Sequence, residues 1–259
     1  MLRIMWNGRS AMMAQQEKLD CISNNLANVN TEGYKSEDVT FQDLMYESLQ
    51  RRGYPVNEGK DKNLITGSGV KAGNWIRDNK QGNLTNTGIN TDLAIDGPGY
   101  FRVVNSNGDF RYIRSGSFNV DNKGNLVDKN GNKLYMEYKG RKPEFTQDNF
   151  IIKEDGTVSI KENNNGVTTI REVGKINIYN AIGQDAFISV GDNLYMPKNG
   201  VNPTATDSSI MQGYIEGSNV DIAKEMTDMI MAQRAFEFGS KAVKAADDMW
   251  GMVNNLRGR

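Results

Sequence analysis

The amino-acid sequence predicts an α+β fold in which long N- and C-terminal helices form a coiled coil, with a central all-β domain and an extended connector. Three observations carry this. Apolar residues repeat at heptad spacing at both ends of the 259-residue chain. The middle is crowded with Gly, Asn and Asp between short β-forming runs, and a charged stretch separates it from the first helix. The boundaries that follow are 1–30 and 217–259 for the helical domain, 31–75 for the hinge and connector, and 76–216 for the β-rich domain.

In the first helix Met5, Met12, Leu19 and Leu26 recur every seven residues, with Ile22 and Val29 three positions further on. Gly8 and Gln15 fall where that seam calls for apolar side chains, so the early turns are predicted to be weak in isolation. The polar Asn24, Asn25, Asn28, Asn30 and Thr31 can bond to backbone and end the helix, and Gly33 before Tyr34 permits a turn, so this stretch reads as a hinge. FQDLMYESLQ, residues 41–50, is expected to form a short helix with Phe41, Leu44, Met45 and Leu49 on one side. RRGYPVNEGKDKNLITGSGV reads as an extended, charged connector, flexible unless a neighbour holds it.

Hairpins are predicted where Asn107-Gly108, Lys123-Gly124 and Asp155-Gly156 separate short runs containing Val, Ile, Phe or Tyr. Residues 161–168, KENNNGVT, read as a loop or hairpin tip. The last segment is the clearest. Met229, Ala232, Phe236, Gly239, Val243, Ala246, Trp250 and Val253 alternate by three and four. The helix is expected to start at the capping-box-like SNVD, with Ser218 accepting from a backbone N–H and Asp221 favouring the positive helix end. From Asp221 to Leu256 it would be about 54 Å long. The small Ala232, Gly239 and Ala246 would let another helix come close, which offsets the roughly 1 kcal/mol that a helical Gly costs.

Composition removes several classes of function. With 31 Lys and Arg against 32 Asp and Glu, the chain lacks the clustered positive charge that grips phosphates; Arg51-Arg52 and Lys139 to Lys142 are isolated and read as solvated loops. No nucleic acid is expected as a partner. The absence of His excludes Ser-His-Asp and Cys-His nucleophiles and His-ligated zinc. The single Cys21 can form neither an internal disulfide nor a thiolate cage. A mean hydropathy of −0.62 and the lack of any apolar run of about 20 residues predict a soluble chain with no membrane insertion. The N-terminus lacks the continuous apolar core and following small-residue cleavage site of a secretory signal, so any export is expected to take another route.

Candidate chemical motifs fail on their own spacing. Gly97-Pro98-Gly99 lacks the third Gly and following helix of a dinucleotide site, and Gly174-Lys175 lacks the rest of a P-loop. Asp121 to Gly131 resembles a calcium loop, but Lys123 occupies its third position and no Glu closes it. Asp247-Asp248 reads as a solvated face, and Cys21 lacks a charge partner to lower its pKa. No catalytic residue, metal or cofactor is therefore expected.

Three stretches, SNNLANVNTEGYK (Ser23 to Lys35), TGINTDLAIDGPGYF (Thr87 to Phe101) and EGSNVDIAKEMTDMIMAQRAFEFGSKAVKAADDMW (Glu216 to Trp250), resemble, in that order, signatures of the bacterial flagellar rod and hook protein family. Departures are small: Tyr100 stands where that family commonly has Phe, and Phe236, Phe238 and Gly239 fall in a stretch usually written QRAYE-x-NS. The resemblance implies a non-enzymatic subunit whose terminal helices line a hollow helical homo-oligomeric tube with the β domain outside. It implies ordering of the termini on assembly and uncleaved passage through the flagellar export apparatus to the basal body, outside the cytoplasm. Other rod proteins and the hook protein are the implied neighbours. The length, FQDLMYESLQ after the first signature and a single modest β domain most resemble a subunit of the distal part of the rod, which implies a role in transmitting torque from motor to hook. A proximal rod or hook subunit is the near alternative; a β-rich carbohydrate-binding or wall-degrading module is the distant one.

Overall fold

The two heptad stripes become helices α1 (Leu2–Ala27) and α2 (Ile222–Arg257) in the computed structural model, which describes residues 2–44, 46–48, 65–140, 145–146, 149–164, 167–183 and 186–257. The chain divides into two units. One joins Met1–Leu26, Glu37–Ile76 and Asp221–Arg259; the other joins Ala27–Ser36 with Arg77–Val220. Residues read from sequence as one hinge and connector thus divide between the units, 37–76 with the helices and 27–36 with the strands.

The start of α2 differs from expectation in one residue. Asp221, rather than Ser218, is the cap: its Oδ1 accepts from the N–H groups of Ala223 (3.0 Å) and Lys224 (3.2 Å), while Ser218 Oγ accepts only from Val220. A carboxylate there satisfies two orphan donors and lies at the positive end of the helix, which outweighs a hydroxyl.

The short helix expected over residues 41–50 is corrected to strands. β1 (Glu37–Asp43) and β2 (Tyr46–Ser48) run through that stretch, followed by β3 (Ile65–Gly67) and β4 (Val70–Arg77); β1 pairs with β4 and β2 with β3. Val39, Thr40 and Phe41 favour a pleated backbone, and the ladder with β4 decides the outcome over the weak helical spacing. Met45 and Leu49 of the expected apolar side, and the connector residues 51–64, lie outside the described residues.

The second unit is built almost wholly from antiparallel pairs. It opens with β5 (Leu84–Asn86), β6 (Leu93–Asp96) and the hairpin β7 (Tyr100–Val104) to β8 (Phe110–Ile113). Next come β9 (Asn119–Val120), β10 (Leu126–Val127), β11 (Lys133–Leu134), β12 (Glu137–Tyr138) and β13 (Phe150–Ile152). The long hairpin β14 (Thr157–Asn164) to β15 (Val167–Lys175), then β16 (Ile178–Asn180), β17 (Phe187–Gly191), β18 (Leu194–Pro197), β19 (Thr204–Thr206), β20 (Ser209–Gln212) and β21 (Tyr214–Glu216) complete it. Gly108, Gly124 and Gly156 take positive φ at the predicted turns between strand pairs. Of the loop or hairpin tip expected at 161–168, the segment takes the hairpin form, with the β14–β15 ladder paired up to Asn164 and Val167; residues 165–166 lie outside the described set.

A nine-stranded sheet runs β17-β18-β8-β7-β11-β10-β9, with β16 attached at β7 and β19 paired to β16, and a four-stranded sheet runs β12-β15-β14-β13. Leu93, Ile95, Phe101, Phe118, Leu126, Phe145 and Phe150 fill the core, each fully buried and each contributing roughly 1.5–3 kcal/mol in transfer terms. A second cluster stacks Tyr100 against Phe187 at 4.8 Å and Tyr195 at 5.1 Å. The ends of the unit close on each other: β20 pairs with β6 and β21 with β5, which brings residues near 90 beside residues near 215.

Candidate functional site

In the helical unit the geometry is set by two glycines. A Cβ added at Gly8 would lie 2.7 Å from Val243 Cγ2 and 3.5 Å from the carbonyl of Gly239; one added at Gly239 would lie 2.8 Å from Met12 Cγ. The helices are thus antiparallel and pass backbone against side chain, which only residues without a side chain permit. Gly8, which reads from sequence as a gap in the seam, is one side of this close approach.

Of the seam residues singled out from sequence, Ile22, Ala232 and Ala246 are buried; Leu19, Leu26, Val29, Met229, Gly239 and Val243 are half-buried. Phe236, Trp250 and Val253 are exposed, at 36, 50 and 49%. The pairing explains the last two. With Gly8 and Met12 opposite Val243 and Gly239, the start of α1 falls opposite the region of Met249, so the final turns of α2 have no α1 residue across from them. Those helices also expose Trp6, Met13, Met226, Ile230, Met231, Phe238, Met252 and Leu256.

At the other end of the pair Asn25 is buried and its amide holds both backbone polar groups of one residue. Its Oδ1 accepts from the N–H of Glu37 (2.9 Å) and its Nδ2 donates to the carbonyl of Glu37 (2.8 Å) and to Glu225 Oε1 (3.1 Å). Burial raises the pKa of Glu225, opposed by the Asn25 hydrogen bond and Lys18. Cys21 donates to the same Glu37 carbonyl at 3.0 Å, and burial pushes its thiol up to about 12. Lys18, ion-paired with Asp38, is a charge partner not foreseen from sequence, but its effect is smaller than that of burial.

In the β unit three sequence stretches converge on one carboxylate. Glu216, 1% exposed, accepts from Lys35 Nζ at 2.5 Å through Oε1 and from Arg114 Nε at 2.5 Å through Oε2; the N–H of Gly82 adds a bond of 2.9 Å. Arg114 also donates to the carbonyls of Gly97 (2.8 Å), Ile95 and Gly99, and Lys35 to that of Lys80 (2.7 Å). The ion group therefore fixes NTEGYK, DLAIDGPG and the EGSN that leads into α2. Burial lowers the pKa of Lys35, against the hydrogen bond to Glu216.

Residues 28–34 of the expected hinge frame this centre. Gly33, at φ 66°, donates to the Glu216 carbonyl (2.8 Å), and a Cβ there would meet Ser115 N at 2.5 Å. Thr31 N–H bonds to the Asn28 carbonyl and Tyr34 N–H to that of Thr31, closing consecutive turns; Tyr34 is buried, Asn28 and Thr31 half-buried, Asn24 and Asn30 exposed. Asn219 accepts from Ser36 N–H (2.7 Å) and donates to the carbonyls of Asp78 and Lys80. Sequence reasoning passed over Lys35 and Glu216, charges inside recognisable motifs, and Arg114, whose only signal is a guanidinium between Ile113 and Ser115.

A closed β unit and a helix pair that leaves apolar side chains in water define a structural class of protein. Comparison with known proteins agrees. Residues 5–35 match the family described as flagella basal body rod protein, 94–177 the flagellar hook protein FlgE/F/G D1 domain, and 211–256 the flagellar basal body rod FlgEFG protein C-terminal region. The chain is 36% identical over 266 residues to the flagellar basal-body rod protein FlgG of Borreliella burgdorferi, covering 99% of both chains. It is 34% identical to the protein of that name in Bacillus subtilis, over 99% of this chain and all of the other, and 34% identical to that of Caulobacter vibrioides, over 96 and 97%. The chain belongs to the flagellar basal-body rod protein family.

Proposed function

We propose that the chain is a structural subunit of the flagellar basal-body rod, in its distal segment, which assembles through its helices into a hollow helical tube and carries torque from motor to hook. The observation that supports this most directly is the uneven burial: the β unit closes its own core, while α1 and α2 leave Trp6, Met231, Phe238, Trp250 and Leu256 in water. Apolar surface of this kind on a helix pair is an interaction surface. In a subunit that repeats head to tail, such faces are covered by neighbouring copies without closing a ring. Full-length likeness to relatives named FlgG favours the distal rod over a proximal rod or hook subunit.

On this reading the subunit has no catalytic role, passes uncleaved through the export apparatus, and works outside the cytoplasm beside other rod proteins and the hook. Limited proteolysis with mass spectrometry on dilute and concentrated protein, with negative-stain microscopy of the latter, tests it. Dilute protein should lose the terminal segments, and concentrated protein should form tubes in which they are protected. Protease-resistant termini in a monomer that never polymerises would sink the reading.

A further inference from the structure

α2 carries apolar residues on more than the face it turns to α1. One position before the steps of the first seam lies a second. Met231, Phe238 and Met252 share a seven-residue repeat, Met249 and Leu256 the repeat four positions behind it, and alanine fills the intervening steps. One residue along a helix is a rotation of about 100°, so the two seams are neighbours on its surface. The first approaches α1 through Gly239 and Val243, whereas all five large side chains of the second are exposed.

Three of those five are thioethers. The exposed methionines among the described residues are Met13, Met226, Met231, Met249 and Met252, and all lie on α1 or α2. In the β unit Met136 is buried, and Met196 and Met211 are half-buried. The faster competitor for an oxidant is shielded. Cys21 is the only thiol, buried and donating to the Glu37 carbonyl, and burial pushes its pKa up to about 12, whereas oxidants attack the thiolate.

Oxidation therefore falls on the exposed thioethers. The sulfur lone pair attacks one oxygen of hydrogen peroxide and the O–O bond breaks; the displaced hydroxide takes the proton of the new S–OH group and leaves as water. Sulfur loses two electrons and peroxide gains them, giving a polar sulfoxide. In the second seam its neighbours are Ala, Phe and Leu side chains, none of which can donate a hydrogen bond to it.

We propose that Met231, Met249 and Met252 are oxidation sites of the unassembled subunit, and that their sulfoxides keep it out of the tube until a methionine sulfoxide reductase restores them. The block to assembly rests on the structural role proposed above; the reactivity of the three sulfurs does not.

The test exposes dilute, full-length protein to hydrogen peroxide, removes the oxidant with catalase and maps the gain of one oxygen by peptide mass spectrometry. The protein is then concentrated and tubes are scored by negative-stain microscopy, with circular dichroism reporting that the treated monomer is folded. Met231 and Met252, 63 and 59% exposed, should oxidise fastest, Met249 at 38% next, and Met136 at 5% only when the β unit unfolds. Oxidised protein should need a concentration about tenfold or more higher to form tubes, since polar groups are buried without partners. Reduction by the two epimer-specific reductases with dithiothreitol should restore assembly. The Met231→Leu/Met249→Leu/Met252→Leu variant conserves volume, keeps Met13 and Met226 open to peroxide, and should form tubes equally well before and after treatment. If the leucines themselves perturb the tubes, the reductase rescue of wild type decides. Seam methionines that oxidise no faster than Met136, normal tubes from oxidised wild type, or loss of tubes from the treated leucine variant overturns the proposal. Untreated protein that never forms tubes overturns the structural role instead, while the peptide map still reads the three sites.

Discussion

Glu216 shows how much one buried residue can fix. Its two oxygens hold Lys35 and Arg114, all three side chains being at most 4% exposed. The pair energies are large only because the charges are out of water, and for the same reason removing one partner is costly. Glu216→Gln keeps the shape but leaves two buried cations without a counter-charge, so we predict a loss of about 3–5 kcal/mol in urea unfolding followed by tyrosine circular dichroism. A change below about 1 kcal/mol would show that the carbonyls around Arg114 and Lys35 suffice. Glu225 gives the opposite sign. Its raised pKa means that the folded state binds the proton more tightly than the unfolded one, so stability is greatest at low pH and declines as pH rises from the ordinary carboxylate range through the raised value. Glu225→Gln should remove that decline. Helix unfolding measured across pH 4–8 should then show the variant more stable than wild type at the upper end and equal to it at the lower; parallel curves would contradict the assignment.

At the scale of elements, what the sequence reveals depends on how far apart the determining residues lie. The helices are legible because their information is local, a repeat of three and four along α2, and the hairpins because Gly108, Gly124 and Gly156 mark turns within a few residues of the strands they join. The strand at Glu37–Asp43 is not legible, since its ladder partner begins at Val70. The charge centre is less so, with Arg114 and Glu216 separated by 102 positions and Lys35 and Glu216 by 181. In sequence the seam is a single set, but in the fold it divides by what lies opposite. Val243 packs on Gly8, so Val243→Asp would desolvate a carboxylate there and should cost the helix pair more than about 2 kcal/mol. Trp250 has no α1 residue across from it, so Trp250→Asp should leave monomer melting within about 0.5 kcal/mol of wild type while abolishing tube formation in electron microscopy. Normal tubes from the Trp250 variant would remove that residue from the assembly surface.

At the scale of the whole molecule, the division of labour is itself a prediction. Every residue of both apolar clusters lies between Leu93 and Ile210, and the Lys35, Arg114 and Glu216 group lies between residues 27 and 220. The β5–β21 and β6–β20 ladders close that unit on its own ends, so its backbone bonds do not require the helices. A fragment of residues 27–220 should therefore fold cooperatively, melt within a few degrees of the β-unit transition in the full chain, and keep its tyrosine circular dichroism. It should also fail to form tubes at any concentration and fail to enter those made by the full chain, because the apolar faces of α1 and α2 are on the parts removed. The opposite fragments, the terminal helices alone, expose apolar faces whose isolated helicity is marginal and should order only where copies meet. If residues 27–220 were unfolded, the β unit would depend on the helices for its stability, and coupling between folding and assembly would have to extend through the entire chain. If the fragment folded and still polymerised, assembly would reside in the strands, and the apolar helix faces would need another partner.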